Sequence, residues 1–305
     1  MSTITAQRAP RSASNFAPAA EANGYGMNDR IKRLRRLSFE AEPSLSIERA
    51  LIETRFYKEN YGKYPVPILR ALNFLEICKQ KTIYIGKDEL IVGERGPAPK
   101  AVPTFPELTC HSVEDLHVLN TRELQRYTIS QEDIDTYERE VIPYWKGRTQ
   151  RERIFSHVPK EWKEAYEVGM FTEFMEQRAP GHTALDGKVY RYGLLDLKER
   201  IAGELANLDF MNDPEATDKQ EELTAMSISC DAAILFAERH ADLADEMSMA
   251  EKDPVRAAEL RKIVEVCRWV PAHAPRTYWE AIQMYWFVHL GTITELNGWD
   301  YIGYL

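Results

Sequence analysis

The stretch Gly169-Met170-Phe171-Thr172-Glu173-Phe174-Met175-Glu176-Gln177-Arg178-Ala179-Pro180-Gly181-His182-Thr183 interrupts a regular helical pattern. Upstream of it, Trp162, Ala165 and Tyr166 form an apolar stripe at helical spacing, which Gly169 continues. Charged residues occupy the opposite side of the same turns. This half of the pattern predicts an ordinary surface helix.

The pattern reverses its phase near Gly169. At about 100° per residue, a continuing helix would carry Phe171 and Phe174 to the charged side, and Glu173 and Glu176 to the apolar side. Either the helix breaks at the glycine, or its last turns are enclosed by protein. Enclosed carboxylates are costly unless they are paired.

Pro180 and Gly181 end this helix and place His182 on a loop just beyond it. One interpretation is a pocket wall that presents Phe174, Arg178 and His182 together. The other is a helix end closed by pairs of glutamate and arginine, with an incidental histidine. The residue types alone leave both open.

Composition narrows the class of protein. The 305 residues, 44% of them hydrophobic, suffice for one large or two ordinary domains. With 48 acidic and 39 basic residues the net charge is −9, which argues against a general nucleic-acid binder. No apolar run approaches about 18 residues, so no membrane span is predicted. The cysteines lack a CxxC pattern and indicate reduced thiols of a cytosolic protein: Cys78, Cys110, Cys230 and Cys267.

The beginning of the chain predicts a disordered tail over residues 1–27, which lack both periodicity and an apolar signal segment. A transit peptide remains an alternative. Asp29 then opens a basic helix, Arg30–Leu37, with apolar residues at every third position. We interpret it as a solvated amphipathic helix; a role at phosphate or a membrane surface is the alternative.

Two further helices follow. Ser46 is the predicted cap of the first, which runs to about Tyr61. Pro65 and Pro67 start the second. In this second helix Ile68, Leu72 and Leu75 share one face, which is expected to pack inward. Cys78 is expected in the same core.

Between residues 81 and 94 the apolar residues follow a shorter period than that of a helix. Ile83-Tyr84-Ile85 and Leu90-Ile91-Val92 flank Gly86-Lys87-Asp88-Glu89, a pattern that predicts a β-hairpin. The prolines between positions 97 and 106 then predict a constrained crossing segment. In that segment, Cys110-His111 followed by His117 does not fit the spacing of a zinc site, so no metal is predicted.

The remaining chain is mainly helical in pattern, with short loops and no fixed-period repeat, which argues against a solenoid. Helices are predicted at about 112–120, 130–146, 149–157, 159–178, 194–208, 214–247 and 253–269, with a short segment at 188–191.

The last predicted helix, Tyr278–Leu290, is apolar on nearly every face and must be enclosed by protein. Thr292-Ile293-Thr294 is predicted to run as a buried strand that delivers Glu295, Asn297 and Asp300 at or beyond its end. Polar groups at the end of a buried strand are typical of the sites of α/β barrels. A polar turn is the alternative.

The apolar residues Tyr301–Leu305 follow at once. Too little chain remains after them to enclose the last helix. We therefore expect the sequence to be part of a larger protein, or to need a partner that covers this surface.

Several segments of the chain form a recognisable set: Ile83–Glu94, Phe105-Pro106-Glu107, Met170–Thr183, Val270-Pro271-Ala272-His273, Thr294-Glu295-Leu296-Asn297 and Trp299-Asp300. Together they resemble the N-terminal part of a glycyl radical enzyme, of the pyruvate formate-lyase-like family. The resemblance extends over about residues 28–300, and within the family it favours members similar to trans-4-hydroxy-L-proline dehydratases.

This resemblance implies a fold that is mainly α with a few strands, forming the first part of a ten-stranded α/β barrel surrounded by helices. It also implies a cytoplasmic enzyme, a homodimer when complete, whose glycyl radical is installed by a radical SAM activating enzyme. A cysteine thiyl radical then abstracts hydrogen from the substrate, and a neighbouring glutamate handles protons as water leaves. No bound cofactor, metal, nucleic acid or membrane partner is implied for this chain.

The resemblance also implies roles for three side chains. Phe174 would line the pocket, His182 would hydrogen-bond the substrate, and Asp300 would hold its ammonium group. An amino-acid substrate needs such a buried counter-charge and a directional hydrogen-bonding group. Relatives that cleave isethionate are expected to have glutamine in place of His182, so the hydroxyproline-like branch is favoured, while a diol or sulfonate substrate stays open.

The sequence also departs from the family. None of the four cysteines matches the thiyl cysteine, and the glycyl loop would lie beyond Leu305. Residues 301–305 do not match the usual continuation after Trp299-Asp300, which suggests truncation, a frameshift or a split gene. We therefore expect no turnover by this polypeptide alone, so no catalytic residue is assigned. A helical scaffold or binding protein, or a membrane adaptor using Arg30–Leu37, are the alternatives.

Overall fold

The computed structural model describes residues 27–170 and 185–295. The predicted tail therefore lies outside the described residues, apart from Met27. The helices are α1 Asp29–Glu40, α2 Glu48–Asn60, α3 Val66–Gln80, α4 Val113–Thr121, α5 Gln131–Glu140, α6 Ile142–Trp145, α7 Gln150–His157, α8 Lys160–Glu167, α9 Leu194–Ala206, α10 Ala216–Ala250, α11 Pro254–Trp269 and α12 Tyr278–Thr294. A 3₁₀ helix spans Asp186–Tyr190, and the strands are β1 Ser44–Ser46 and β2 Ala101–Pro103.

Helix α1 belongs to a unit of its own, residues 1–40. The predicted basic helix is confirmed, and it buries none of its residues. The Asn28 side chain accepts a hydrogen bond from the Ile31 N–H at 2.9 Å, which satisfies one of the donors at the start of the helix.

In the second unit, residues 41–305, α10 is the central element of the core. It packs against α3, α9, α11 and α12. Ala237, Ala241 and Ala244 recur at helical spacing on its buried side, and their small side chains let neighbouring helices approach closely. Phe236 from α10 and Phe287 from α12 fill the space between these helices.

The predicted helices between residues 112 and 269 are confirmed to within three residues at each end, with two exceptions. Residues 130–146 form two helices, α5 and α6, because Pro143 falls in the first turn of α6. The helix predicted over 159–178 ends at Glu167. Gly169 adopts φ +71°, so the first alternative for the phase reversal is right: the helix breaks at this glycine.

The starts of α2 and α3 agree only partly with the sequence. Residue Ser46 is the last residue of β1 and lies one position before the helix cap, although its Oγ accepts from the Glu48 N–H at 3.4 Å. Helix α3 begins after Pro65 as predicted, and Cys78 is buried. Its predicted inward face is only half-buried; because α3 packs against both α2 and α10, its most buried side chains lie on two other rows, Leu69, Ala71, Asn73, Phe74, Ile77 and Cys78.

The strands form one small parallel sheet. β1 pairs with β2 in the register Ser44↔Ala101, Leu45↔Val102 and Ser46↔Pro103. This pairing ties the beginning of the second unit to the proline-rich crossing segment, which places Glu107 opposite α2.

The predicted β-hairpin over residues 83–94 is wrong. Its backbone forms no strand and instead hydrogen-bonds side chains of distant helices. Trp279 Nε1 donates to the Leu90 carbonyl at 2.9 Å, and Trp286 Nε1 donates to the Gly93 carbonyl at 2.8 Å. Arg256 from α11 donates to the carbonyls of Gly86 and Glu89. Backbone groups satisfied in this way need no ladder partner.

The predicted strand Thr292-Ile293-Thr294 is also wrong, because α12 continues through these residues. The hydroxyls of Thr292 and Thr294 bond carbonyls one turn earlier, at 2.9 and 2.7 Å. The expected enclosure of α12 is partial: Met284, Phe287 and Leu290 are buried, whereas the sides carrying Tyr285 and His289 are half-buried. No described helix is long and apolar enough to cross a membrane.

Candidate functional site

The three side chains assigned to substrate binding, Phe174, His182 and Asp300, lie outside the described residues, as do Arg178 and Asn297. The structure does describe the residues next to both segments that carry them. Leu185 directly follows residues 171–184, and Glu295 directly precedes residues 296–305. The candidate site is therefore built from what surrounds Leu185 and Glu295.

A buried ionic cluster lies at the end of α12. We call it the Arg49 cluster; it contains Arg49 and Glu53 from α2, Arg70 and Asn73 from α3, Glu107 from the crossing segment, and Glu295. The Arg49 side chain is 4% exposed, and it lies under the Phe105 ring with Cζ 4.4 Å from the ring centroid. A buried guanidinium needs several acceptors.

Carboxylates and carbonyls satisfy the Arg49 guanidinium. Its Nη1 and Nη2 donate to the two carboxylate oxygens of Glu107 at 3.1 and 2.8 Å, a bidentate pair. Nη1 also donates to Glu53 Oε2 at 2.9 Å. Nε donates to the Thr294 carbonyl at 2.8 Å. This last bond joins the cluster to the final turn of α12, whose carbonyls lack partners within the helix.

The two inner carboxyl groups differ in protonation. Burial raises the pKa of Glu53 well above its ordinary value, against the opposing charge of Arg49. Burial also opposes ionisation of Glu107, but Arg49 and a hydrogen bond with Glu53 outweigh it and hold the pKa of Glu107 below its ordinary value. The pKa shifts therefore favour the protonated form of Glu53 and the ionised form of Glu107, while Asn73 Nδ2 donates to Glu53 Oε1 at 3.1 Å.

Glu295 lies where the cluster meets the surface. Arg70 Nη2 donates to Glu295 Oε2 at 3.3 Å, and Arg49 Nη2 lies 3.9 Å from Glu295 Oε1. Burial raises the pKa of Glu295, and both arginines oppose that rise. Two cations from two different helices thus bind the first residue after α12.

A groove of about 840 Å³ begins beside this cluster, between α3, α9, α10 and α12. Arg70 and Glu295 lie at its wall, together with Leu185 and Lys188, which follow the segment of His182. Apolar side chains from the four helices form the rest, including Phe74, Ile201, Leu223, Phe287 and Val288. A concave apolar wall with a few charged groups is typical of a site for a small molecule.

A second contact holds the start of α9, which follows the segment of His182 in the chain. The N–H groups of Leu194 and Leu195 donate to the carbonyls of Pro271 and Ala272 at 2.8 and 3.0 Å, so the Val270-Pro271-Ala272-His273 segment caps the start of α9. This close approach requires Gly193, because a Cβ there would clash with the Ala272 carbonyl oxygen.

The described cysteines do not form a reactive thiol site. Burial raises the pKa of Cys78 to about 12 and of Cys110 and Cys230 to about 11, and it raises that of Cys267 further. All four thiols therefore stay protonated at neutral pH. Across residues 27–170 and 185–295, no group of three or more histidine, cysteine or carboxylate side chains could hold a metal ion.

The chain matches a known family over all of the described residues. The family model described as pyruvate formate lyase-like matches residues 27–304. The chain therefore belongs to the pyruvate formate lyase-like family, and its solved structural neighbours are glycyl radical enzymes. The resemblance stated from the sequence is confirmed.

Particular relatives share both sequence and fold. Trans-4-hydroxy-L-proline dehydratase of Clostridioides difficile is 47% identical over 275 residues, which cover 90% of this chain and 35% of that protein. The crystal structure of hydroxyproline dehydratase from the same organism, with trans-4-hydroxy-L-proline bound, superposes with a TM-score of 0.85 over 88% of this chain and 34% of that one, at 47% identity.

Two further matches extend the comparison. Isethionate sulfite-lyase of Oleidesulfovibrio alaskensis is 33% identical over 267 residues, 83% of this chain and 32% of that protein. A glycyl radical enzyme from Archaeoglobus fulgidus has a TM-score of 0.79 at 30% identity, covering 88% of this chain and 34% of that chain. The chain thus spans about a third of the length of these relatives.

Sequence reasoning missed the Arg49 cluster. Arg49 and Glu53 are spaced i, i+4 on a helix, a pattern that ordinarily indicates an exposed ion pair. Glu107 lies 58 positions from Arg49 and belongs to the quoted Phe105-Pro106-Glu107 segment, which was the available signal.

Proposed function

We propose that this chain supplies the N-terminal portion of a glycyl radical dehydratase that eliminates water from a small hydroxylated amino acid such as trans-4-hydroxy-L-proline. The observation that carries the proposal is the 47% identity, over 90% of the chain, to a dehydratase of that substrate. An identity this high over the whole matched region, together with the shared fold, favours a retained binding site.

We assign the substrate contacts to three side chains. Phe174 lines the pocket, His182 hydrogen-bonds the substrate, and Asp300 holds its ammonium group. A carboxylate in a desolvated pocket binds an ammonium far more strongly than it would in water. The groove beside Leu185 and Glu295 supports this assignment, because these residues adjoin the segments of His182 and Asp300.

We propose that the radical chemistry belongs to groups outside the third of the relatives' length that this chain spans. In the proposed complete enzyme, a glycyl radical installed by a radical SAM activating enzyme generates a thiyl radical at the substrate. We propose that residues 28–305 form the first part of that catalytic domain in a cytoplasmic homodimer. The 305 residues by themselves are proposed not to turn over substrate.

A second candidate function is carbon–sulfur cleavage. The 33% identity to isethionate sulfite-lyase favours it, and a diol dehydratase of the same family is a related possibility. His182 weighs against the sulfonate substrate, for which glutamine is expected at this position. A helical scaffold without catalytic function is the remaining alternative.

The proposal is tested with a hybrid enzyme in which residues 27–300 of this chain replace the matching third of the C. difficile dehydratase. The hybrid is activated anaerobically, its glycyl radical is measured by electron paramagnetic resonance, and it is supplied with trans-4-hydroxy-L-proline, diols and isethionate. We expect a radical signal and turnover of hydroxyproline. A normal radical signal with turnover of isethionate or a diol alone would contradict the proposal.

A further inference from the structure

Helix α12 ends directly before the segment that carries Asp300, and its last turn is bound by two arginines. Arg49 Nε donates to the Thr294 carbonyl at 2.8 Å, and Arg70 Nη2 donates to Glu295 Oε2 at 3.3 Å. The Glu295 N–H closes the turn on the Thr292 carbonyl at 3.2 Å. Positive charge at the C-terminus of a helix also complements the helix dipole.

The guanidinium that binds Thr294 cannot easily move. Arg49 is held on three sides by Glu107, Glu53 and the Phe105 ring, and its side chain is 4% exposed. Glu53 is held in turn by Asn73. The Arg49 cluster is therefore a rigid anchor assembled from α2, α3 and the crossing segment.

Burial of this cluster is costly, which suggests a purpose beyond stability. Ion pairs in a protein interior often stabilise the fold no more than apolar residues of the same volume would. What the cluster adds is a fixed direction: a carbonyl and a carboxylate of the α12 terminus are each bound at a defined point. Fixed supporting contacts of this kind hold functional side chains in their productive geometry.

We propose that Arg49 and Arg70 are positioning residues: they fix the C-terminal end of α12 and thereby set the placement of Asp300, five positions beyond Glu295. Arg49 does not line the groove, whereas Arg70 lies at its wall and acts in this scheme through Glu295. The link to Asp300 rests on the proposed function, whereas the fixing of α12 does not. The two parts are therefore tested separately.

The first test uses the 305-residue chain and hydrogen–deuterium exchange, read by mass spectrometry on peptides that cover residues 288–300. Arg70→Gln removes an arginine whose side chain is 56% exposed, so the variant is expected to fold. Arg268→Gln is the matched control, because Arg268 is also 56% exposed and pairs with Asp242 at 3.4 Å.

We expect Arg70→Gln to accelerate exchange at the end of α12 about tenfold, with an unchanged melting temperature, whereas Arg268→Gln leaves these peptides unchanged. Arg49→Lys should accelerate the same peptides further, since lysine cannot bind Glu107 and Thr294 together. Equal exchange in the Arg70→Gln and Arg268→Gln chains would overturn the fixing of α12, whether or not Arg49→Lys folds.

The second test is a double-mutant cycle in the hybrid enzyme, with kcat and KM for trans-4-hydroxy-L-proline as the readout. We expect Arg70→Gln to lower kcat/KM about tenfold, chiefly through KM, and to change it less than twofold when Asp300 is already asparagine. The same tenfold loss in both backgrounds would overturn the positioning of Asp300. The proposed function is judged independently, by Asp300→Asn alone, and Arg268→Gln serves again as the control.

Discussion

The side-chain amide of Gln283 bonds both backbone polar groups of Val92. Its Oε1 accepts from the Val92 N–H at 2.9 Å, and its Nε2 donates to the Val92 carbonyl at 2.8 Å. Both residues are fully buried. One side chain on α12 thus replaces a β-ladder partner for a segment 191 positions earlier in the chain.

Gln283→Met should destabilise the protein by about 2–4 kcal/mol, because methionine keeps the volume but leaves two buried backbone groups without partners. The free energy of unfolding is measured by urea denaturation. Gln131→Met is the control, since Gln131 is exposed and its side chain donates to the exposed Asp135, and its effect should stay within about 0.5 kcal/mol. Equal effects in the two variants would contradict the role given to Gln283.

Two glycines near each other in sequence should respond oppositely to alanine. Gly193→Ala would place Cβ against the Ala272 and His273 backbone and should cost about 2 kcal/mol or more. Gly203 lies exposed within α9 with nothing near its Cβ position, so Gly203→Ala should stabilise by about 0.5–1 kcal/mol. Melting temperatures of both variants check the pair; a tolerated alanine at 193 would refute the close approach that caps α9.

The raised pKa of Glu53 should make stability depend on pH in a defined direction. Its pKa is raised by burial, so above the unfolded value near 4.5 the folded state binds more protons than the unfolded state. This group therefore lowers stability as pH rises from about 4.5 towards its folded pKa, by at most about 1.4 kcal/mol per pH unit.

Glu53→Gln removes this titration, because the amide has the shape of the protonated acid but does not ionise. We expect the variant to gain stability relative to the parent between pH 5 and pH 8, measured as the difference in unfolding free energy by denaturant titration at each pH. Glu107 has a lowered pKa, and its contribution is already complete in this range and is lost only as pH falls through its folded pKa. A difference that is the same at both pH values would contradict a proton on Glu53.

His182→Gln should change substrate choice more than folding. In the hybrid enzyme we expect kcat/KM for trans-4-hydroxy-L-proline to fall about tenfold or more, because one directional hydrogen bond is replaced by another of different geometry. The melting temperature should stay unchanged. If the melting temperature collapses while the ratio of hydroxyproline to isethionate turnover is preserved, His182 belongs to a closed helix end rather than to a pocket.

Local rules were sufficient for the parts of the fold that depend on neighbouring residues. Pro65 and Pro67 predicted the start of α3, and the phase reversal at Gly169 left two alternatives, of which the positive φ supports the helix break. Patterns in sequence could not distinguish a strand from an irregular segment whose backbone is hydrogen-bonded by side chains. The side chains that bond the backbone of residues 83–94 include Arg256, Trp279, Gln283 and Trp286, which lie far away along the chain.

The Arg49 cluster could not be predicted from the sequence for a related reason. The charges of Arg49 and Glu53 suggest a solvent-facing side of α2, and only the arrival of Glu107 and the end of α12 makes that side an interior. The strand predicted at 292–294 failed because threonine and isoleucine favour strands, whereas here the packing of α12 and hydroxyl bonds to its own carbonyls keep them helical.

The central claim is that this chain lines a pocket that binds the ammonium group of an amino-acid substrate, and Asp300→Asn in the hybrid enzyme tests it most directly. Asp135→Asn is the control, since Asp135 is exposed on α5. We expect kcat/KM for trans-4-hydroxy-L-proline to fall about 100-fold for Asp300→Asn, with an undiminished glycyl radical signal, and to stay unchanged for Asp135→Asn. Unchanged kcat/KM in the Asp300→Asn enzyme would contradict the claim.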